Sequence, residues 1–272
     1  MVLLIFGLGY TAQAIAAAWP GPVVGTTRDG RGGTIRFDDG NAVRGALAAS
    51  SHVLSSVPPD DGGDPVLNAY GDLLGNRWLG YLSSTGVYGD AGGGWVDESA
   101  PVAGRRPARN AADLAWLGRG ARVFRLPGIY GPGRSPLERV RGGQAHRVDV
   151  PGQVFSRVHV EDIASAVVAA MTAPAGAYNI ADALPASQNA VAEYAAALLG
   201  LPPPPFVDLA TLSPMARSFY AENRRVATGK ARRVLGWTPA YPDYRAGLRA
   251  LSATTSPNAV SNAPAMASGD QR

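Results

Sequence analysis

The sequence predicts an open, doubly wound α/β sheet with a small substrate-side region in its C-terminal half. Two patterns lead there. The chain opens with a strand, a glycine turn and a helix, and short apolar runs then alternate with helix-like stretches through the first half. At 272 residues it is long enough for one large or two small domains with a well-buried core.

Val2 to Phe6 is a continuous apolar run closed by glycine, as in a strand buried on both faces. Gly7-Leu8-Gly9-Tyr10-Thr11-Ala12 follows, then an alanine-rich helix to Trp19, stopped by Pro20 and Gly21. The turn matches G-x-G-x-x-(G/A). Gly7 makes the bend, Gly9 lets a diphosphate approach the backbone, and Ala12 allows the helix to pack close to the strand. Bare amides and the positive end of the helix dipole then face the phosphates. Pro22 to Thr26 supplies the second strand of a β-α-β unit. At its end, next to Thr27, Arg28 offers a fork for a 2′-phosphate where an acidic residue would select NAD. Asp29 comes one position late, so NADP is the expected cofactor and NAD the alternative. The plainer reading of Arg28 is a solvated loop charge. No basic residue precedes Arg28, which argues against a secretory leader.

Further apolar runs at Thr34 to Phe37, His52 to Val57, Trp78 to Leu82 and Arg122 to Leu126 are separated by helical stretches at Ala42 to Ala49, Pro65 to Leu74 and Ala108 to Leu117. Right-handed crossovers put ligands at the carboxyl ends of such strands. Those ends carry Asp38, then Ser56, Val57 and Pro58, then Ser83 to Gly89, then Pro127 to Gly133. In the second half, helical spacing is expected from Val158 to Met171, with Glu161 and Asp162 in the first turn. A strand is expected at Tyr178 to Ala181, a helix at Ser187 to Leu199 and a basic helix bearing Arg224, Arg225, Lys230, Arg232 and Arg233. That basic face reads as solvated rather than as a phosphate contact. The expected division is a Rossmann-type dinucleotide-binding domain over residues 1–157, with its remaining elements interleaved with the substrate-side region over 158–251. Residues 252–272 lack periodic apolar positions and are expected to be disordered.

Composition narrows the function classes. With no cysteine there is no disulfide or thiol nucleophile, and three histidines, His52, His146 and His159, make a metal site unlikely on numbers alone, so none is expected. No apolar run approaches the roughly 20 residues of a membrane span, so no membrane partner is expected, and a reducing cytoplasm suits the chain. The net charge is +4, yet eleven arginines from Arg105 to Arg157 face only three carboxylates. That excess suggests a small anionic substrate. Nucleic acid is not expected, because Gly and Pro turns break the segment and no nucleic-acid motif is present. A coding bias toward arginine is the bland alternative, since Lys230 is the sole lysine.

Four motifs in order, G-L-G-Y-T-A, S-S-T-G-V-Y-G-D, R-L-P-G-I-Y-G-P-G and F-S-R-V-H-V-E-D-I-A, resemble the extended or atypical short-chain dehydrogenases/reductases, the NAD(P)-dependent epimerase/dehydratase group. The ending S-P-M-A-R-S-F-Y-A-E-N-R-R-V resembles a bacterial sugar-epimerase-like subgroup. The resemblance implies that Asp38 holds the adenine amino group, that Ser56, Val57, Pro58 and Ser83 lie along the cofactor, and that Pro127, Gly128 and Ile129 flank the nicotinamide. It puts Ser84, with Thr85, at the catalytic serine or threonine position, and Tyr88, Tyr130 and Arg157 on the substrate side. It also implies a homodimer.

The family's Tyr-x-x-x-Lys pair is missing. Register from Asp113 and Trp116 puts Arg105 at the tyrosine position and Arg109 at the lysine position, and Val226 stands four residues before Lys230. Arginine stays protonated, so it cannot act as a general base. Three readings remain open: an oxidoreductase or epimerase with non-standard acid/base chemistry, a non-catalytic NADP(H) sensor or scaffold, or a phosphate clamp for a substrate that brings its own acid.

Overall fold

β1 (Leu3–Phe6) is buried along its whole length, and the chain leaves it through a glycine turn into α1 (Tyr10–Ala18). In this computed structural model, which describes residues 1–255, β2 (Val23–Thr27) and β3 (Ile35–Arg36) follow. Next come α2 (Gly40–Ala49), β4 (His52–Ser55), α3 (Pro65–Tyr70) and β5 (Trp78–Ser84). After a short β6 (Trp95–Val96), α4 (Pro107–Gly118) leads to β7 (Arg122–Leu126) and β8 (Gly128–Tyr130). The second half holds α5 (Pro136–Arg141), β9 (Arg157–His159), α6 (Val160–Ala169), β10 (Gly176–Asn179) and α7 (Gln188–Leu198). It ends with α8 (Pro214–Tyr220), β11 (Arg225–Val226), α9 (Gly229–Leu235) and α10 (Tyr244–Thr255).

Seven parallel strands form the central sheet in the order β10-β7-β5-β4-β1-β2-β3. The order reverses between β1 and β4, and in a doubly wound sheet that reversal opens a crevice at the strand carboxyl ends. Alternate side chains feed two cores, which is why the strands read as unbroken apolar runs. Leu3, Ile5, Leu54 and Phe124 pack with α1 and α6 on one face, while Leu4, Phe6, Val53 and Val123 pack with Val43, Val66, Ala112 and Trp116 on the other. A third apolar cluster joins Tyr130, Leu137, Val191, Tyr244 and Leu248, from β8, α5, α7 and α10. β10 belongs to the main sheet and α6 to its cover. Among the described residues no helix is long and apolar enough to cross a membrane.

Several expected boundaries move. Val158 and His159 belong to β9, because β8 lies alongside and takes their backbone groups in parallel register. The helix therefore starts at Val160, with the His159 ring accepting from the Glu161 amide at 3.4 Å. The basic stretch is only in part a helix: Arg225 and Val226 pair with Trp95 and Val96 of β6, and α9 begins at Gly229. The helix expected to reach Leu74 stops at Tyr70 in a 3-10 turn. Ser252 to Thr255 continue α10, so the expected tail starts later, and its remainder, 256–272, lies outside the described residues.

Candidate functional site

The turn after β1 is built around two glycines with different duties. Gly7 has φ +82°, in the left-handed region, and a methyl group on it would stand 3.0 Å from Val57 Cγ2 and 3.1 Å from Ser56 Oγ. Its amide donates to Thr26 Oγ1 at 3.2 Å, its carbonyl accepts from Ser56 Oγ, and the Leu8 amide donates to the Thr26 carbonyl at 2.8 Å. The turn is thereby fixed to β2 and β4. Gly9, by contrast, has nothing within 4 Å of where its Cβ would be. It is also the N-cap of α1 and supplies no side-chain cap, whereas Asp39, Asp64, Ser135 and Ser187 cap α2, α3, α5 and α7. The Gly9 amide donates to the Gly7 carbonyl at 2.7 Å, and with no acidic residue in the first turn of α1 the helix dipole is uncompensated there, which suits an anion.

On the β2 side, Thr27 Oγ1 is bound by Thr34 at 2.7 Å and by the Gly30 amide at 2.9 Å, so it shapes the loop rather than facing the crevice. Arg28 is exposed beside it, and Asp29 turns toward Arg31 at 3.7 Å. Asp38 is exposed and held in a two-pronged pair with Arg36 at 3.0 and 2.8 Å, which, with hydrogen bonding, keeps its carboxyl below the usual range.

At the end of β5, neighbouring residues point opposite ways. Ser83 is buried, and its hydroxyl donates to Asp113 Oδ2 of α4 at 2.6 Å. Ser84 is half-buried, and its Oγ accepts from the Gly86 amide at 3.1 Å. Gly104 lies against this turn so closely that a methyl group there would run into the Gly86 carbonyl. The amides of Ala103 and Gly104 both donate to the Val87 carbonyl at 2.8 Å, which sets where Arg105 begins.

Arg105 lies ahead of α4, not on it. Its Nε donates to Glu222 Oε1 at 2.5 Å and its Nη2 to the Ser218 carbonyl at 2.6 Å. Arg109 is half-buried on α4, with no ion pair among the described residues. Glu222 also accepts from Arg224 at 2.6 Å; burial opposes its charge, but the hydrogen bonds from Arg224 and Arg105 prevail and hold its carboxyl low.

No family model matches the sequence. The solved structure of a functionally unknown conserved protein from Silicibacter pomeroyi is 43% identical, with a TM-score of 0.81 over 93% of this chain and 98% of that one. The two chains belong to one family. Protein YeeZ of Escherichia coli K12 is 36% identical over 141 residues, 46% of this chain and 47% of YeeZ. The 3-diazoavenalumate denitrifying reductase of a Streptomyces species is 31% identical over 167 residues, 57% of this chain and 53% of the reductase. The chain spans about half the length of the curated relatives it matches. At 16% identity, the dTDP-glucose 4,6-dehydratase of Bacillus anthracis in complex with NAD superimposes with a TM-score of 0.75 over 93% of this chain and 96% of that one. Human epimerase family protein SDR39U1 with NADPH does so at 17% identity and a TM-score of 0.71, over 93% and 99%.

The fold is that of the NAD(P)-dependent epimerases and dehydratases.

Within this epimerase/dehydratase fold, several residues expected at the site turn inward. Thr85 is 4% exposed and Ser83 is committed to Asp113, so neither side chain faces the crevice. Tyr88 is buried, its hydroxyl donating to Asn179 Oδ1 at 2.7 Å and accepting from Arg125 Nη1 at 3.0 Å. Tyr130 is buried too, edge-on to His159 and tight against Gly247, where a methyl group would strike its hydroxyl. Arg157 does not offer its charge to a phosphate: it donates to the carbonyls of Phe155 and Ala186 at 2.8 Å each and to Gln188 Oε1 at 3.1 Å. Burial lowers its pKa to about 10. For Ser83, Tyr88 and Arg157 the physical reason is shared: buried acceptors need donors, and these side chains supply them, whereas the Tyr130 hydroxyl has no hydrogen-bond partner among the described residues.

The structure also brings in residues that sequence reading passed over. The Arg134 guanidinium stands 5.8 Å from the Tyr10 ring centre, beside the glycine turn, and only the local arginine excess hinted at it. Glu222 arrives from far along the chain with no local pattern to mark it; Arg224, expected on a solvated basic face, is instead 16% exposed and bonded to Glu222 and the Gly89 carbonyl.

Proposed function

We propose that this chain is an NADP(H)-binding oxidoreductase or epimerase/dehydratase-like protein that acts on a small hydroxylated, anionic substrate. The observation that carries the reading is the bare start of α1 above Gly9, at the strand-order reversal of the sheet. The Streptomyces relative is a reductase, and the two distant neighbours were crystallised with NAD and NADPH, which supports the same cofactor class here.

The residues present fit a dinucleotide. The amides of Tyr10 and Thr11 would meet the diphosphate, Asp38 the adenine amino group and Arg28 a 2′-phosphate, while the Gly9 amide donates to the Gly7 carbonyl at 2.7 Å. Ser56, Val57 and Pro58 would run along it, and Pro127, Gly128 and Ile129 would border the nicotinamide. The cofactor would supply a hydride donor or acceptor. Ser84 orients the substrate oxygen, since its hydroxyl hydrogen is not spent on the Gly86 amide. Arg109 contributes a fixed charge for a ribose or a substrate anion. Arg105 has a different duty, tying the C-terminal segment to the site through Glu222.

The test follows NADPH absorbance with a panel of ketones and sugar nucleotides. Turnover that falls at least tenfold in Ser84→Ala is expected. The rival reading, a sensor without turnover, draws on the engagement of Arg105 by Glu222 and on the missing phenol; tight cofactor binding with no turnover across the panel would favour it.

A further inference from the structure

Gly86 leaves a gap between two donors that come from opposite halves of the chain. A methyl group at Gly86 would stand 3.3 Å from Ser84 Oγ and 3.8 Å from Arg224 Nη2. The face of Gly86 that carries no side chain is therefore flanked by a hydroxyl on one side and a guanidinium on the other. Gly86 lies outside the positive-φ glycines, so the turn does not need a glycine for its backbone. What the missing side chain provides is room.

Arg224 is aimed at this gap by its other contacts. Its Nη1 donates to the Gly89 carbonyl and to Glu222 Oε2, both at 2.6 Å, and its side chain is 16% exposed. Glu222, itself 9% exposed, is gripped from the far side by Arg105. With Nη1 occupied, Nη2 is the end that borders the open space. Ser84 Oγ accepts from Gly86 and keeps its own hydrogen to donate. Two donors held in place before any ligand arrives, in a half-buried setting, stabilise a negatively charged oxygen better than mobile water does.

We infer that Arg224 Nη2 and Ser84 Oγ form a two-donor pocket for a substrate oxygen that bears or develops negative charge, the service a phenol performs where the Tyr-x-x-x-Lys pair exists. The inference rests on the proposed function for what the oxygen is attached to, a small carbonyl or carboxylate compound. Arginine gives hydrogen bonds without giving up its proton. The pocket therefore works by holding charge, and a proton has to come from water.

Titration calorimetry of the full chain with oxalate, in the presence and absence of saturating NADP, tests it. Wild type is expected to bind oxalate, and Arg224→Gln to weaken that binding at least tenfold, with Arg224→Lys in between. Gly86→Ala fills the gap without touching any charge and is expected to weaken oxalate at least tenfold while its melting temperature stays close to wild type. Dinucleotide affinity should hold within twofold in all three variants. The pocket is overturned if wild type binds NADP but not oxalate, or if Gly86→Ala and Arg224→Gln both bind oxalate as wild type does. Oxalate binding that depends on Arg224 in a protein that takes no dinucleotide would leave the pocket standing and remove the proposed function instead.

Discussion

Arg125 and Asp113 form a two-pronged ion pair inside the protein, with Nη2 to Oδ1 at 2.6 Å and Nε to Oδ2 at 3.1 Å, their side chains 3% and 0% exposed. The pair joins β7 to α4 and extends through Tyr88 to Asn179 of β10. Removing one partner leaves a buried charge with no counter-ion, which costs about 3–5 kcal/mol. Asp113→Ala is therefore expected to lose stability on that scale in urea unfolding, and Arg125→Ala likewise. A loss under about 1 kcal/mol for both would show that solvent or neighbouring dipoles already carry the charge.

Gly9→Ala separates folding from ligand binding. Nothing lies within 4 Å of the added methyl group and the backbone there is extended, so stability should change by less than about 1 kcal/mol. The methyl group occupies the space assigned to the diphosphate, and NADP affinity is expected to fall at least tenfold by calorimetry. Unchanged affinity would move the diphosphate elsewhere.

Arg28→Ala addresses cofactor choice. The guanidinium is exposed at the end of β2, where a 2′-phosphate would come. NADP affinity is expected to drop about tenfold, the size of one charge-assisted contact, with NAD affinity changed less than twofold. An advantage for NADP that survives the substitution would assign the selectivity to another residue, with Arg31 next in line.

Asp182 makes stability depend on pH. It is 2% exposed, Oδ2 has no hydrogen-bond partner among the described residues, and burial pushes its pKa up to about 7 from an ordinary 3.8. Because the folded value lies above the unfolded one, the stability tied to this carboxyl is complete below about pH 4 and is lost as pH rises through about 7. Asp162, raised by burial to about 6, adds in the same direction over a narrower window. Asp182→Asn is expected to flatten the fall in melting temperature between about pH 4 and pH 7, the interval between the unfolded and folded values. A wild-type melting temperature that rises across that range, with no difference in the variant, would contradict the assignment.

The fold was legible where the pattern was local. The apolar strands, the G-x-G-x-x-A turn and α1 and α4 announce themselves within a few residues, because a strand buried on both faces must be apolar and a bare helix start needs glycine. The small sheets β6 with β11 and β8 with β9 were not legible. Their strands are two and three residues long and exist only because a distant segment lies beside them.

The candidate site divides the same way. The sequence by itself determined where the glycine turn and the start of α1 lie, that no Tyr-x-x-x-Lys pair exists, and that Ser84 ends a strand. Only the tertiary structure decided that Ser83 is committed to Asp113 while Ser84 stays half-buried, that Arg157 is consumed by backbone carbonyls and Gln188, and that Arg224 stands beside Gly86 while bonded to Gly89 and Glu222. A side chain's role depends on which donors and acceptors surround it after burial; for Ser83 and Arg157 these include groups 29 to 31 residues away, and for Arg105 and Arg224 groups more than a hundred away, distances over which sequence spacing carries no geometric information.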